Sequence, residues 1–124
     1  MTRSDLNLDD VFDSAADPAF VLDPIAGRFV AANRAGCALL GYTHEDLLET
    51  PVARIHPGEL AQLREFVGTV LTAGHGSTVA LTCRTRRGTC LPVELSLAAF
   101  EHDGRTLLLG LVHDRSEHRQ RGLD

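Results

Sequence analysis

The chain has 124 residues, 44% of them hydrophobic and 23% charged, which gives room for one domain with a single core and argues against a disordered or membrane-spanning chain. A net charge of −5, with the basic residues scattered, argues against nucleic acid, whose phosphates require Lys and Arg gathered on one face. No apolar run approaches the roughly 20 residues of a membrane helix, and the opening MTRSDLNLDD lacks the apolar centre of a signal peptide, so a cytoplasmic location without a membrane span is expected.

Residues 1–7 carry no pattern and read as an N-terminal tail. From Leu8 to Ala16 the apolar positions follow helical spacing, with Asp9 and Asp10 in the first turn, where the helix dipole favours negative charge. Pro18 ends that helix. Ala19 to Asp23 and Arg28 to Ala32 then form two strands joined at Pro24-Ile25-Ala26-Gly27. The stretch GRFVAANRAGCALLGY runs from the second strand directly into a helix over Arg34 to Leu40. Asn33 is its N-cap and Gly41 its left-handed exit.

Thr43 to Asp46 resembles a capping box for a short helix ending near Leu48, before Pro51 interrupts. His56-Pro57-Gly58-Glu59 is expected to start the longest helix, with Leu60, Leu63, Val67, Val70 and Leu71 as one apolar stripe and Gly74 as its stop. Two strands follow. Alternation directs Val79, Leu81 and Cys83 inward from the first, and Leu91, Val93, Leu95 and Leu97 from the second. Keeping those sets on one face pairs Cys83 with Leu91, Leu81 with Val93 and Val79 with Leu95, and requires a three-residue loop at Arg86-Arg87-Gly88. Arg84, Arg86 and Arg87 then form a solvated hairpin tip. The last strand, Thr106 to His113, is apolar on both faces, as a central strand should be, and the turn at Asp103-Gly104 leaves its register open between two- and three-residue versions. Residues 117–124 read as the start of a linker helix.

The order of elements, together with Asp17-Pro18-Ala19-Phe20-Val21-Leu22-Asp23, Gly27 to Ala35, Leu40 to Leu47, Ile55-His56-Pro57, Gly74, the hairpin at Gly88, Val93-Glu94-Leu95-Ser96 and Asp114-Arg115-Ser116-Glu117, resembles a PAS domain. This is the sensory module of bacterial histidine kinases, cyclic-di-nucleotide enzymes and transcription regulators. The resemblance implies an α+β fold over residues 8–116. Its five-stranded antiparallel sheet has the order 2-1-5-4-3, with helices inserted between strands 2 and 3 and covering one face. It implies a regulatory role in perception, dimerisation and transmission to a covalently attached effector. The alternative is a receptor holding a small molecule or cofactor in its core.

In relatives that hold a cofactor, it lies between the sheet and the long helix. Here that space is expected to be lined by Cys37, Leu40, Leu63, Val67, Leu81, Cys83, Val93, Leu95, Leu109 and Leu111, a set that also reads simply as core. Haem is disfavoured because the middle of the long helix carries Leu63, Arg64, Glu65 and Phe66 rather than a His. Flavin is disfavoured because the chain lacks the Asn-Cys-Arg-Phe-Leu motif of the photosensing relatives and has no Trp. The cofactor therefore stays unassigned, with none preferred. Three cysteines without CxxC spacing signal neither a disulfide framework nor zinc, and the histidines form no metal-binding pair.

Cys37, one turn from the Asn33 cap, could serve as a redox thiol, although a small buried apolar role is preferred. The chain has no nucleophile elbow, P-loop, HExxH or paired-carboxylate pattern, so no catalysis is expected of it. Asn33 is assigned to the strand–helix joint. Asp114 and Ser116 are assigned to the exit from the last strand, the carboxylate pairing with a cation and the hydroxyl capping the next helix. Homodimerisation is expected through the first helix and the outer sheet face, where Ala98 and Phe100 point outward.

Overall fold

The computed structural model describes residues 8–116; the expected tail and linker helix lie outside them. Among the described residues, five helices and six strands occur in the order α1 (Leu8–Ser14), β1 (Ala19–Asp23), β2 (Arg28–Ala32), α2 (Arg34–Leu40), α3 (His44–Leu48), α4 (Val52–Ile55), α5 (Leu60–Ala73), β3 (His75–Thr78), β4 (Thr82–Arg84), β5 (Cys90–His102) and β6 (Arg105–Asp114). The sheet runs β2-β1-β6-β5-β3, all antiparallel, with β4 also paired to β5. Since β3 and β4 together are the expected third strand, the order 2-1-5-4-3 is the one found. The apolar last strand is central, between β1 and β5.

Local chemistry accounts for the joint between β2 and α2. Asn33 has an extended backbone and its Oδ1 accepts from Gly36 N–H, while Gly41 at φ 81° closes the helix by donating its N–H to Cys37 O. Thr43 caps α3 by accepting from Asp46 N–H (3.1 Å). The short helix α4 after Pro51 was not anticipated.

Helix α5 begins later than expected. Gly58 takes a left-handed turn at φ 78°, so Pro57 does not occupy the first helical position, and Glu59 sits at the N-cap without capping. Its carboxylate is committed elsewhere, accepting from Thr82 N–H (2.9 Å) and Thr82 Oγ1 (3.1 Å). The buried stripe of α5 is also narrower than expected. Leu63 and Val70 are buried and Phe66 and Val67 pack partly against the core, whereas Leu60 and Leu71 are exposed.

The third strand is split. Cys83 pairs with Leu91 as expected, and Arg86-Arg87-Gly88 is a three-residue loop with Gly88 at φ 96°. Leu95, however, pairs with Thr78 rather than Val79. Between Thr78 and Thr82 the chain carries one residue more than the facing segment of β5, a bulge that turns Val79 outward to 56% exposure while Leu81 stays buried. Two interactions hold it: Thr78 Oγ1 accepts from Ala80 N–H, and Thr82 is clamped by Glu59.

The turn after β5 has two residues, Asp103 and Gly104, both at positive φ, with His102 opposite Arg105. This settles the register of β6. Val112, Gly110 and Leu108 lie opposite the inward-facing Leu95, Leu97 and Ala99, while Leu109 and Leu111 lie opposite Ala98 and Ser96 on the outer face. Leu109 and Leu111 are therefore corrected from the inner space to the opposite side of the sheet. Phe20, Leu22, Leu40, Leu47, Ile55, Leu81, Val93 and Leu108 are among the residues forming one continuous core on the helix side.

Candidate functional site

Between α5 and the β1–β2 turn the fold leaves a cleft of about 500 Å³. Its floor is made by Leu22 of β1 and Leu108 of β6. One wall is α5, through Leu60, Leu63, Arg64, Val67, Gly68 and Leu71, and the other is the turn Pro24 to Gly27 with residues 51–53. That outer wall is fixed in several places. Asp23 Oδ1 accepts from Ile25 and Ala26 N–H and its Oδ2 from Arg105 (3.0 Å), while Val52 N–H donates to Gly27 O (2.9 Å). A cleft of this size, mostly apolar and with few polar groups, has the character of a small-molecule site.

Of the ten residues expected to line such a space, Leu63 and Val67 border this cleft. Leu40, Leu81, Cys83, Val93 and Leu95 are buried in the close-packed core behind it, and Leu109 and Leu111 line a shallow outer-face hollow with His75 and Ser77. Cys37 borders a separate groove between α1 and α2, with Phe12, Asp13, Arg34 and His44. Every other residue of the cleft was missed from the sequence, among them the β1–β2 turn, Leu22, residues 51–53, Arg64, Gly68 and Leu108. A glycine inside the apolar stripe of α5 was the one available signal.

The thiols differ in setting. Burial, then Asp13, pushes the Cys37 thiol above its ordinary value, the opposite of what a redox-active thiolate requires. Burial, then Glu59 and Asp114, pushes Cys83 up to about 12. All three cysteines are free, with Cys90 exposed opposite Arg84.

Between the α4–α5 link and β4 lies a buried polar clamp. The ring of His56, 6% exposed, places Nδ1 2.6 Å from Thr82 O; a carbonyl only accepts, so Nδ1 carries the proton. Desolvation lowers the His56 pKa, opposed by the Thr82 bond and by Glu59 3.8 Å away. The hairpin tip is not simply solvated. Arg86 donates its N–H to Leu40 O and its guanidinium to Asp46 (2.6 Å), and lies 5.5 Å from the Tyr42 ring centroid.

The family model described as PAS domain matches residues 17–117. The chain belongs to the PAS domain family. The match includes all six strands and α2 to α5, so the joint, the cleft and the end of β6 are all parts of the PAS domain. Solved PAS domains share its fold. One from Colwellia psychrerythraea superposes with a TM-score of 0.77 at 21% identity, covering 89% of this chain and 95% of that one. Another, from a two-component sensor histidine kinase, gives 0.75 at 20% identity over 90% and 99% of the two chains. The PAS domain of nitrogen regulation protein NR(II) from Vibrio parahaemolyticus gives 0.71 at 16% identity over 88% and 99%. No curated protein sequence gives a significant match.

In this PAS domain the strand exit is built differently from the sequence expectation. Asp114 Oδ1 accepts from Ser116 N–H (2.8 Å), so the carboxylate caps the next segment and Ser116 is its first helical residue. Arg115 N–H donates to Pro92 O (2.7 Å), tying the exit to β5.

Proposed function

We propose that this PAS domain is a sensory and regulatory module that reads a signal in the cleft under α5 and passes it out through β6 to an attached effector. One observation carries the reading: β6 supplies Leu108 to the cleft floor and ends at the Asp114–Ser116 cap. The step from Leu108 to Asp114 along β6 spans about 20 Å of rigid central strand. A shift of α5 against Leu108 is thereby felt by the strand that leads out of the domain. Signalling needs two packings that the input distinguishes, and the cap is a suitable switch because, among the described residues, one N–H to carboxylate bond holds it. Replacing Asp114 with Ala is expected to uncouple input from output in the full-length protein while leaving the melting temperature of the domain nearly unchanged; unaltered coupling would exclude the cap as the output route.

Homodimerisation through α1 and the outer sheet face belongs to the same reading. It is supported by the half-buried Leu109 and Leu111, with Ala98 and Phe100 exposed beside them. Light scattering is expected to give twice the monomer mass at high concentration. A cytoplasmic site of action also fits this role. A second reading, a receptor whose cleft holds a small molecule, is favoured by the size and apolar lining of the cleft. An absorption spectrum and native mass spectrometry of the purified protein test it, since a bound molecule adds to the mass.

A further inference from the structure

Resting on the receptor reading, we propose that the cleft takes an amphipathic monoanion: a carboxylate on a flexible apolar body, of the fatty-acid type. The lining chemistry is the basis. Apart from Asp23 and Arg64, every side chain bordering the cleft is apolar, or absent at glycine. No hydroxyl, amide or imidazole side chain faces it, so a sugar, nucleobase or amino acid would lose hydration without a side-chain partner. The two charges are not equivalent. Asp23 is satisfied by two backbone N–H groups and by Arg105, whereas the Arg64 side chain makes no hydrogen bond or ion pair with the described residues.

Arg64 is exposed on the wall of α5, so its guanidinium stands free at the opening of an apolar space. A planar guanidinium fork matches a carboxylate. The ligand is thus oriented with its tail toward Leu22 and Leu108 and its head at the rim.

Gly68 gives independent support. It lies one helical turn beyond Arg64 on the same face, and a Cβ built there meets nothing within 4 Å. A glycine in mid-helix is unfavourable in itself, and here the missing side chain is what leaves the cleft wide beside Val67 and Leu71. The lip is apolar too, with Ile25 95% exposed at the tip of the facing turn.

The test is a titration of the domain with decanoate, decanol and decylamine below their micelle-forming concentrations, read from methyl and amide NMR shifts. Decanoate is expected to bind about fivefold tighter than decanol, the range of a solvent-exposed ion pair, with decylamine weakest and the largest shifts at Leu63, Val67 and Leu71. Arg64→Met should make decanoate and decanol equal, and Arg64→Glu should turn the preference toward decylamine. Gly68→Leu should weaken all three; if that variant does not fold, Gly68→Ala, which adds one methyl, should do so to a smaller extent.

Equal binding of the three molecules to the wild type, or a decanoate preference that survives Arg64→Met, overturns the anionic class and leaves the receptor reading standing. Binding of none of them overturns the proposal as a whole. The receptor reading is then judged separately, by whether native mass spectrometry of the purified domain finds any other bound molecule.

Discussion

Asn33, with no exposed surface, holds three backbone groups, those of Asp17, Ala19 and Gly36. Its Oδ1 accepts from Gly36 N–H and Ala19 N–H, and its Nδ2 donates to Asp17 O, so one amide caps α2 and ties it to the start of β1. Asn33→Ala leaves these buried groups unpaired and is expected to cost about 2 to 4 kcal/mol, measured by denaturant unfolding. His56 makes a pH-dependent contribution. Its folded pKa lies below the unfolded value, so the folded state resists protonation: stability is full above the unfolded pKa, near 6.5, and falls as the pH drops below it. His56→Asn keeps a donor toward Thr82 without titrating in that range. Its melting temperature should therefore vary less between pH 7.5 and 5 than that of the wild type, and an equal variation in both would assign the acid sensitivity elsewhere.

At the scale of elements, two helical glycines make opposite predictions. A Cβ at Gly36 meets the Phe20 ring at 2.8 Å, so Gly36→Ala forces α2 away from β1 and should destabilise by about 1 to 3 kcal/mol. Gly68→Ala meets open space and should stabilise by about 1 kcal/mol through helix propensity alone. Thermal unfolding of the two variants side by side checks both signs. The elements themselves were legible in the sequence wherever their causes are local: the Asn33 cap, the Gly41 exit and the hairpin loop at Gly88 follow from neighbouring residues. Val79 was misplaced because the bulge that turns it outward depends on Glu59, more than twenty positions away, holding Thr82. Leu109 and Leu111 were assigned to the wrong face because a single residue of turn length at Asp103-Gly104 decides the face of all of β6. The cleft was only partly legible. Helical periodicity placed Leu63 and Val67 beside it, but the wall from Pro24 to Gly27 is brought there by the link from Val52 to Gly27, which no local pattern signals.

For the molecule as a whole, the sheet acts as a frame with its central strand shared between the two ends of the proposed pathway. β6 is paired along its length with β5 and in part with β1, which makes it a stiff member rather than a flexible tether. Its inner residue Leu108 faces the cleft, and its last residue, Asp114, holds the cap on Ser116. The central claim is that these two points are coupled. Amide hydrogen exchange of the wild type and of the cleft-filling variant Gly68→Leu, compared at Arg115 and Ser116, tests it most directly. Coupling predicts that exchange at these two amides changes along with α5 and the Pro24 to Gly27 turn; a change confined to α5 and that turn, with Arg115 and Ser116 exchanging as in the wild type, would contradict it.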